Sequence, residues 1–262
     1  MEQANPEEME LGKGAVDLVE ESENKDLELQ EDSADFNPLL KAALIGDTEE
    51  VQHIFEDSED PDNDKATEFL KVTDVVGRSL LYTTCMSGQS DVIRTMARYG
   101  VDLKETTVRG YTLLHCAAAW GQLETLRTLI ELEADIYATT FRGEKARDIA
   151  YRYNKTECVE FLDWAEAKQN LRNFISQIQA TITDPEKVQG RLNKEDKNTS
   201  LKACQAKSDW LESIKEPTME DFLDQKQQLE EIMLPIFTKL ATPRGQDSVV
   251  NKKIGNPSEI YK

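Results

Sequence analysis

Histidine and cysteine are the side chains here best suited to acid–base or covalent chemistry, and there are few of them: His53, His115, Cys85, Cys116, Cys158 and Cys204. His115 stands beside Cys116, and a thiol nucleophile does need a base within reach. Adjacent residues on a helix do not face one another, however, so this pair cannot act as a dyad. The cysteines are widely spaced with no CxxC, which predicts buried free thiols in place of disulfides or a zinc site. Phosphate loops of the GxGxxG or GxxxxGK[ST] kind are absent, as are HExxH and GxSxG. The carboxylates are scattered, as a solvated surface would have them. The expected protein is not an enzyme and uses no cofactor and no metal.

Charge narrows the partners. The 262 residues carry 51 acidic against 31 basic side chains, a formal charge of −20, which disfavours a nucleic-acid partner because phosphate binding needs a basic surface. Thirteen of the acids fall in residues 1–35, beside only Lys13 and Lys25. With few large apolar side chains and no aromatic, that segment cannot offset the entropy of ordering and is expected to be a disordered tail. The N-terminus does not pair a basic region with an apolar core, and no run approaches the roughly 18 apolar residues of a membrane span. The expectation is a soluble, intracellular protein of the cytoplasm, with the nucleus as a second compartment and no membrane insertion.

The elements that would position any site repeat with a fixed period. Gly77, Gly110 and Gly143 are 33 apart, as are Gly88 and Gly121, Leu81 and Leu114, and Asp102 and Asp135. In the best copy, Gly110 suits a turn open to a residue without Cβ, and Thr112 and His115 can hydrogen-bond around the start of an inner helix. Ala117 and Ala118 are small where neighbouring repeats meet. Gly121 ends the inner helix, and Leu126, Leu129 and Ile130 give an outer helix its apolar stripe. The run from Gly110 to Gly121 resembles the ankyrin pattern G-x-T-P-L-H-x-A-A-x-x-G, with Leu113 in place of the proline.

Looser copies flank it. One uses Ser79, Leu80, Leu81 and Tyr82 in the turn, with Thr84 for the small alanine. Another uses Lys145, Ala150 and Asn154, asparagine being the next best residue after glycine for a positive-φ helix end. An earlier unit opens at Asn37, and its Leu39 lies 42 residues before Leu81, nine more than the period, which an acidic insert near 58–65 would absorb. The units expected are 36–57, 74–102, 107–135 and 140–164, with the outer two as end caps.

The ankyrin resemblance implies a binding function, since such arrays hold protein partners on hairpin tips and exposed inner-helix positions. Carried over, those positions are Val76, Arg78, Met86, Ser87, Arg109, Tyr111, Trp120, Phe141, Arg142, Arg152 and Tyr153. The set is rich in Trp, Tyr and Arg, the types over-represented at interface hot spots.

Beyond Trp164 the period stops but helical spacing continues. Between Thr156 and Thr183 there is no Gly or Pro, and apolar residues from Cys158 to Ile182 recur at helical intervals. One helix should therefore run from the last repeat into the next region. Asp184 and Pro185 stop it, a second helix is expected over Asn198–Ile214, and Thr218 to Asp221 reads as a capping box for a third, reaching about Leu240. Pro235 should kink that third helix or end it early. The stretch from Ala167 to Leu240, including Lys187 to Lys197, Cys204, Asp209 to Leu211, Phe222 and Pro235 to Leu240, resembles the helical lid of the seventy-kilodalton heat-shock chaperones. That implies an all-α fold: an ankyrin solenoid over 36–164, a small helical bundle over 165–240 and a disordered tail over 241–262. It also raises chaperone machinery as a partner of the bundle.

Overall fold

The computed structural model describes residues 37–57, 59–60, 62–71 and 79–242. The acidic segment 1–35, the repeat glycine Gly77, the positions Val76 and Arg78, and the tail after Thr242 lie outside the described residues.

Four helical pairs make the solenoid: α1 (Pro38–Ile45) and α2 (Thr48–Glu56), α4 (Leu80–Ser87) and α5 (Ser90–Arg98), α6 (Leu113–Trp120) and α7 (Leu123–Glu131), α8 (Ala146–Arg152) and the start of α9 (Thr156–Thr183). A short helix α3 (Ala66–Phe69), preceded by a 3-10 turn over Asn63–Lys65, fills the insert between the first two pairs. The insert is tied back to the pair it follows, because the Asn63 amide donates to the carbonyls of Ile54 and Phe55 at 3.0 and 3.1 Å. Those are end-of-helix carbonyls that would otherwise lack a donor.

Each inner helix ends where a left-handed residue turns the chain. Gly46, Gly88 and Gly121 have φ of 82, 78 and 77°, and Asn154 takes the same place at 55°. The residue after each glycine in two of these turns builds the next contact. Gln89 reaches back to donate to the Leu44 carbonyl at 3.3 Å, and Gln122 to the Met86 carbonyl at 2.8 Å. Each glutamine lies over the glycine of the preceding repeat, so a Cβ on Gly46 or Gly88 would meet its amide oxygen at 2.4 or 2.5 Å. The glycine is thus required twice, by its φ and by the rung laid across it. The rung from Gln89 to Leu44 also shows that the first two repeats stack in register despite the nine extra residues between them.

The solenoid buries one apolar cluster from Leu39 to Ala165. At its far end the last repeat changes character. Where inner helices α4 and α6 bury Leu81 and Leu114, α8 carries Arg147, held by the Asp163 carboxylate at 2.9 and 3.2 Å. Lys145 similarly pairs with Glu166 at 2.6 Å. Charge in place of leucine is what a terminal repeat needs on a face that no further repeat covers among the described residues.

Helix α9 is continuous over 28 residues, about 42 Å at about 1.5 Å per residue. It leaves the solenoid and becomes the first helix of a bundle with α11 (Lys194–Ser213) and α12 (Met219–Ala241), a short α10 (Pro185–Val188) intervening. A second apolar cluster runs from Ala167 to Ile236, and Trp164 packs against both. Its indole N–H donates to the Pro217 carbonyl at 2.7 Å, and its ring meets Phe161 on one side and Phe222 on the other, at 5.9 and 5.5 Å between centroids.

One helix start needs correction, and one of the two outcomes expected at Pro235 does not occur. Helix α11 begins at Lys194, four residues before Asn198, because Asn193 accepts from the Asp196 N–H at 2.7 Å while Asp196 returns a bond to the Asn193 N–H. Pro235 does not end α12, which continues to Ala241. It sits on the solvent side, where the carbonyl it leaves unpaired can be hydrated. The capping box at Thr218 and Asp221 is present as expected.

Candidate protein-binding surface

The hairpins that join the repeats are copies of one another. Thr107 N–H donates to the Tyr111 carbonyl and Gly110 N–H to Thr107, and one period later Thr140 donates to Glu144 and Gly143 to Thr140. Successive tips are joined by a bond from Phe141 N–H to the Arg109 carbonyl at 3.0 Å. The histidine of the motif locks this arrangement. Its Nδ1 accepts from Thr112 N–H at 3.1 Å, so the proton is on Nε2, which donates to the Glu144 carbonyl of the next hairpin at 3.0 Å. Burial pushes the imidazole down to about 4, so it is neutral near pH 7, and both its nitrogens are committed to backbone. That leaves no free base beside Cys116, whose thiol points to the Tyr82 carbonyl. In the preceding repeat Tyr82 does the same work as His115, its hydroxyl donating to the Tyr111 carbonyl.

Nine of the eleven positions named from the sequence are described. Ser87, Arg109, Phe141 and Arg142 are exposed, and Met86, Trp120, Arg152 and Tyr153 are half-buried. Ser87, Trp120 and Tyr153 are one period apart, at or just past the ends of successive inner helices, and so form a row across the stack. Phe141 is 60 % exposed at its hairpin tip, with the Arg142 guanidinium 5.3 Å above its ring.

Tyr111 does not stand with them. It is 6 % exposed, its ring edge-on to His115 at 5.9 Å, because the residue after the hairpin glycine turns inward to cover the motif histidine. Arg152 is half withdrawn as well, paired with Glu144. Burial raises the Tyr153 phenol above its usual range, and its hydroxyl has no hydrogen-bond partner among the described residues. Two exposed side chains were missed. Val108 is 95 % exposed at the tip one period before Phe141, and Tyr151 is 68 % exposed on the terminal face of α8. The first carried a signal, since its period partner Phe141 was in the set.

Over 213 residues the chain is 55 % identical to ankyrin repeat domain-containing protein 45 of Homo sapiens, covering 81 % of this chain and 80 % of that one. The chain belongs to the ankyrin repeat domain-containing protein 45 family. The Mus musculus member is likewise 55 % identical over 208 residues, 79 % of this chain and 84 % of its own length. The Danio rerio member is 53 % identical over 97 residues, 37 % of this chain and 43 % of that one. Residues 39–140 match the family Ankyrin repeats (3 copies). Family membership fits an interaction module, as ankyrin arrays typically are. Among the described residues no helix is long and apolar enough to cross a membrane, and no cluster of metal-ligating side chains is found.

Proposed function

We propose that this protein is a non-enzymatic scaffold that holds a protein partner on the concave side of its solenoid. The observation that carries the reading is the row Ser87, Trp120 and Tyr153 on successive inner helices, flanked by the exposed tips Val108, Arg109, Phe141 and Arg142. An aromatic residue held by the fold beside cations on rigid hairpins contributes contact area at little entropic cost, which is how hot spots work. The commitment of His115 to backbone carbonyl and amide supports action without catalysis. Its cysteines, three buried and one half-buried with none bridged, fit a reducing compartment, so the cytoplasm is the proposed location, with the nucleus a second.

The test is a partner recovered by proximity labelling, purified and titrated against the full chain. Arg109→Glu with Trp120→Ala should weaken binding by about tenfold or more, on the order of 1.4 kcal/mol, with unchanged circular dichroism. Undiminished affinity moves the site off the concave side. A second reading, in which the bundle engages the chaperone machinery, is supported by the lid-like stretch folding as α9, α11 and α12. Binding of a purified seventy-kilodalton chaperone that survives the same double substitution would favour it.

A further inference from the structure

A groove of about 920 Å³ lies on the outer-helix side of the molecule, between α7, the loop 133–137 and the stretch of α9 that passes from the last repeat into the bundle. None of the concave positions lines it. Its floor is apolar and aromatic: Ile136 and Phe161 are buried, and Trp164 is fixed by its bond to Pro217. Its walls are pinned to each other, since the Tyr137 hydroxyl on the loop donates to the Asn170 side chain on α9 at 2.7 Å. The groove is therefore preformed, and an occupant would not have to order it.

Its charges are arranged unequally. From α9, Lys168 and Arg172 line it one helical turn apart. Neither has an ion-pair partner among the described residues, although the molecule as a whole carries a large acidic excess. Lys168 lies 5.0 Å from the centre of the Trp164 ring, and burial together with the neighbouring Arg172 holds its ammonium below the usual lysine range. Lys168, half-withdrawn from water, therefore faces a like charge on the exposed Arg172, an arrangement that an incoming anion would relieve. On the opposite wall the carboxylates are largely occupied. Glu131 holds Arg94 at 2.9 Å, Asp135 accepts from the Tyr137 N–H at 2.9 Å, and only Glu133, on the exposed rim, has no partner among the described residues.

We propose that this groove is a second docking site, which takes an acidic segment of a partner protein: two carboxylates placed on Lys168 and Arg172, and a bulky apolar side chain seated against Trp164, beside the Arg127 guanidinium that covers the Phe161 ring at 4.7 Å. Side chains one helical turn apart are about 6 Å from each other, so the carboxylates of the segment should have a similar separation. A nucleic acid is the poorer fit, because an unbroken run of phosphates would bring negative charge against Glu131, Glu133 and Asp135. The site is separate from the concave surface and stands or falls without it.

The experiment selects short random peptides on the full chain and clears the pool on the Lys168→Glu, Arg172→Glu variant, which removes binders of every other surface. The surviving peptides should carry a pair of acidic residues two to four positions apart with a large apolar residue nearby. A synthesised survivor should perturb tryptophan fluorescence, bind about tenfold or more weaker to the charge-reversed variant, and weaken with added salt. It should bind Arg109→Glu, Trp120→Ala as it binds the parent, which separates this site from the concave one. Survivors without acidic residues, a pool emptied by the clearing step, or equal affinity for parent and charge-reversed chain would each overturn the proposal.

Discussion

At the scale of single residues, the repeat is held together by side chains that reach for backbone groups in the next repeat. Tyr82 and His115 hold the following hairpin, and Gln89 and Gln122 hold the preceding inner helix. A hydrogen bond of this kind is worth about 1 kcal/mol net, but a buried carbonyl left without its donor costs more. His115 adds a pH dependence. Its folded value, about 4, is below the usual 6.5, so the unfolded chain takes up its proton first. The stabilisation from keeping it neutral is complete above about pH 6.5 and is lost as pH falls from there toward 4, up to ~3 kcal/mol in all. Thermal melts from pH 7.5 to 4.5 should show the parent falling more steeply than His115→Gln, whose amide can still donate to the Glu144 carbonyl but does not titrate. Parallel curves would mean that His115 is not the group responsible. The role of His115 was legible beforehand because Thr112 and His115 match a known turn. That of Tyr82 was not, since a tyrosine in the histidine position makes sense only once the Tyr111 carbonyl is seen above it.

At the scale of elements, uninterrupted helical spacing from Thr156 to Thr183 was enough to expect one helix shared by solenoid and bundle, and α9 has those bounds. Helix ends were read less well where a polar residue rather than a glycine sets them, as at Asn193, where four successive charged residues, Lys194 to Lys197, hid the cap. The glutamine rungs had a visible signal, a Gly-Gln pair at 88–89 and again at 121–122. Their purpose was not visible, because each bond joins residues 36 or 45 apart in sequence. The shared helix can be tested at Ala165, which is buried where the two apolar clusters meet. Ala165→Pro removes a helical hydrogen bond and forces a kink, costing ~3 kcal/mol or more. It should convert a single melting transition into two, with the bundle and the solenoid unfolding separately. One transition at the parental midpoint would show that the two parts never depended on a common helix.

At the scale of the whole molecule, stability should follow the order of the stack. A repeat array is stabilised by interfaces between neighbours, so an end repeat with one neighbour opens before an inner one with two. The two ends here are unlike. The first pair, α1 and α2, has a single neighbouring repeat among the described residues, and the insert with its short α3 separates it in sequence from that neighbour. At the other end, α9 is both the outer helix of the last repeat and a strut of the bundle, with Trp164 packed into both clusters. The proposed binding surfaces fall in the better supported part: the row through Trp120 and Tyr153 and the groove beside Lys168 are built on α6 to α9. Native-state hydrogen exchange should therefore show protection that is lowest over 38–56 and highest over α6, α7 and the first half of α9, with no loss toward the last repeat. In Ala165→Pro the second end should lose that support, and α8 with the start of α9 should exchange about as fast as α1 and α2. Equal protection across all four pairs in the parent would mean that the solenoid opens as one unit, and that the bundle adds nothing to the stability of the repeats it follows.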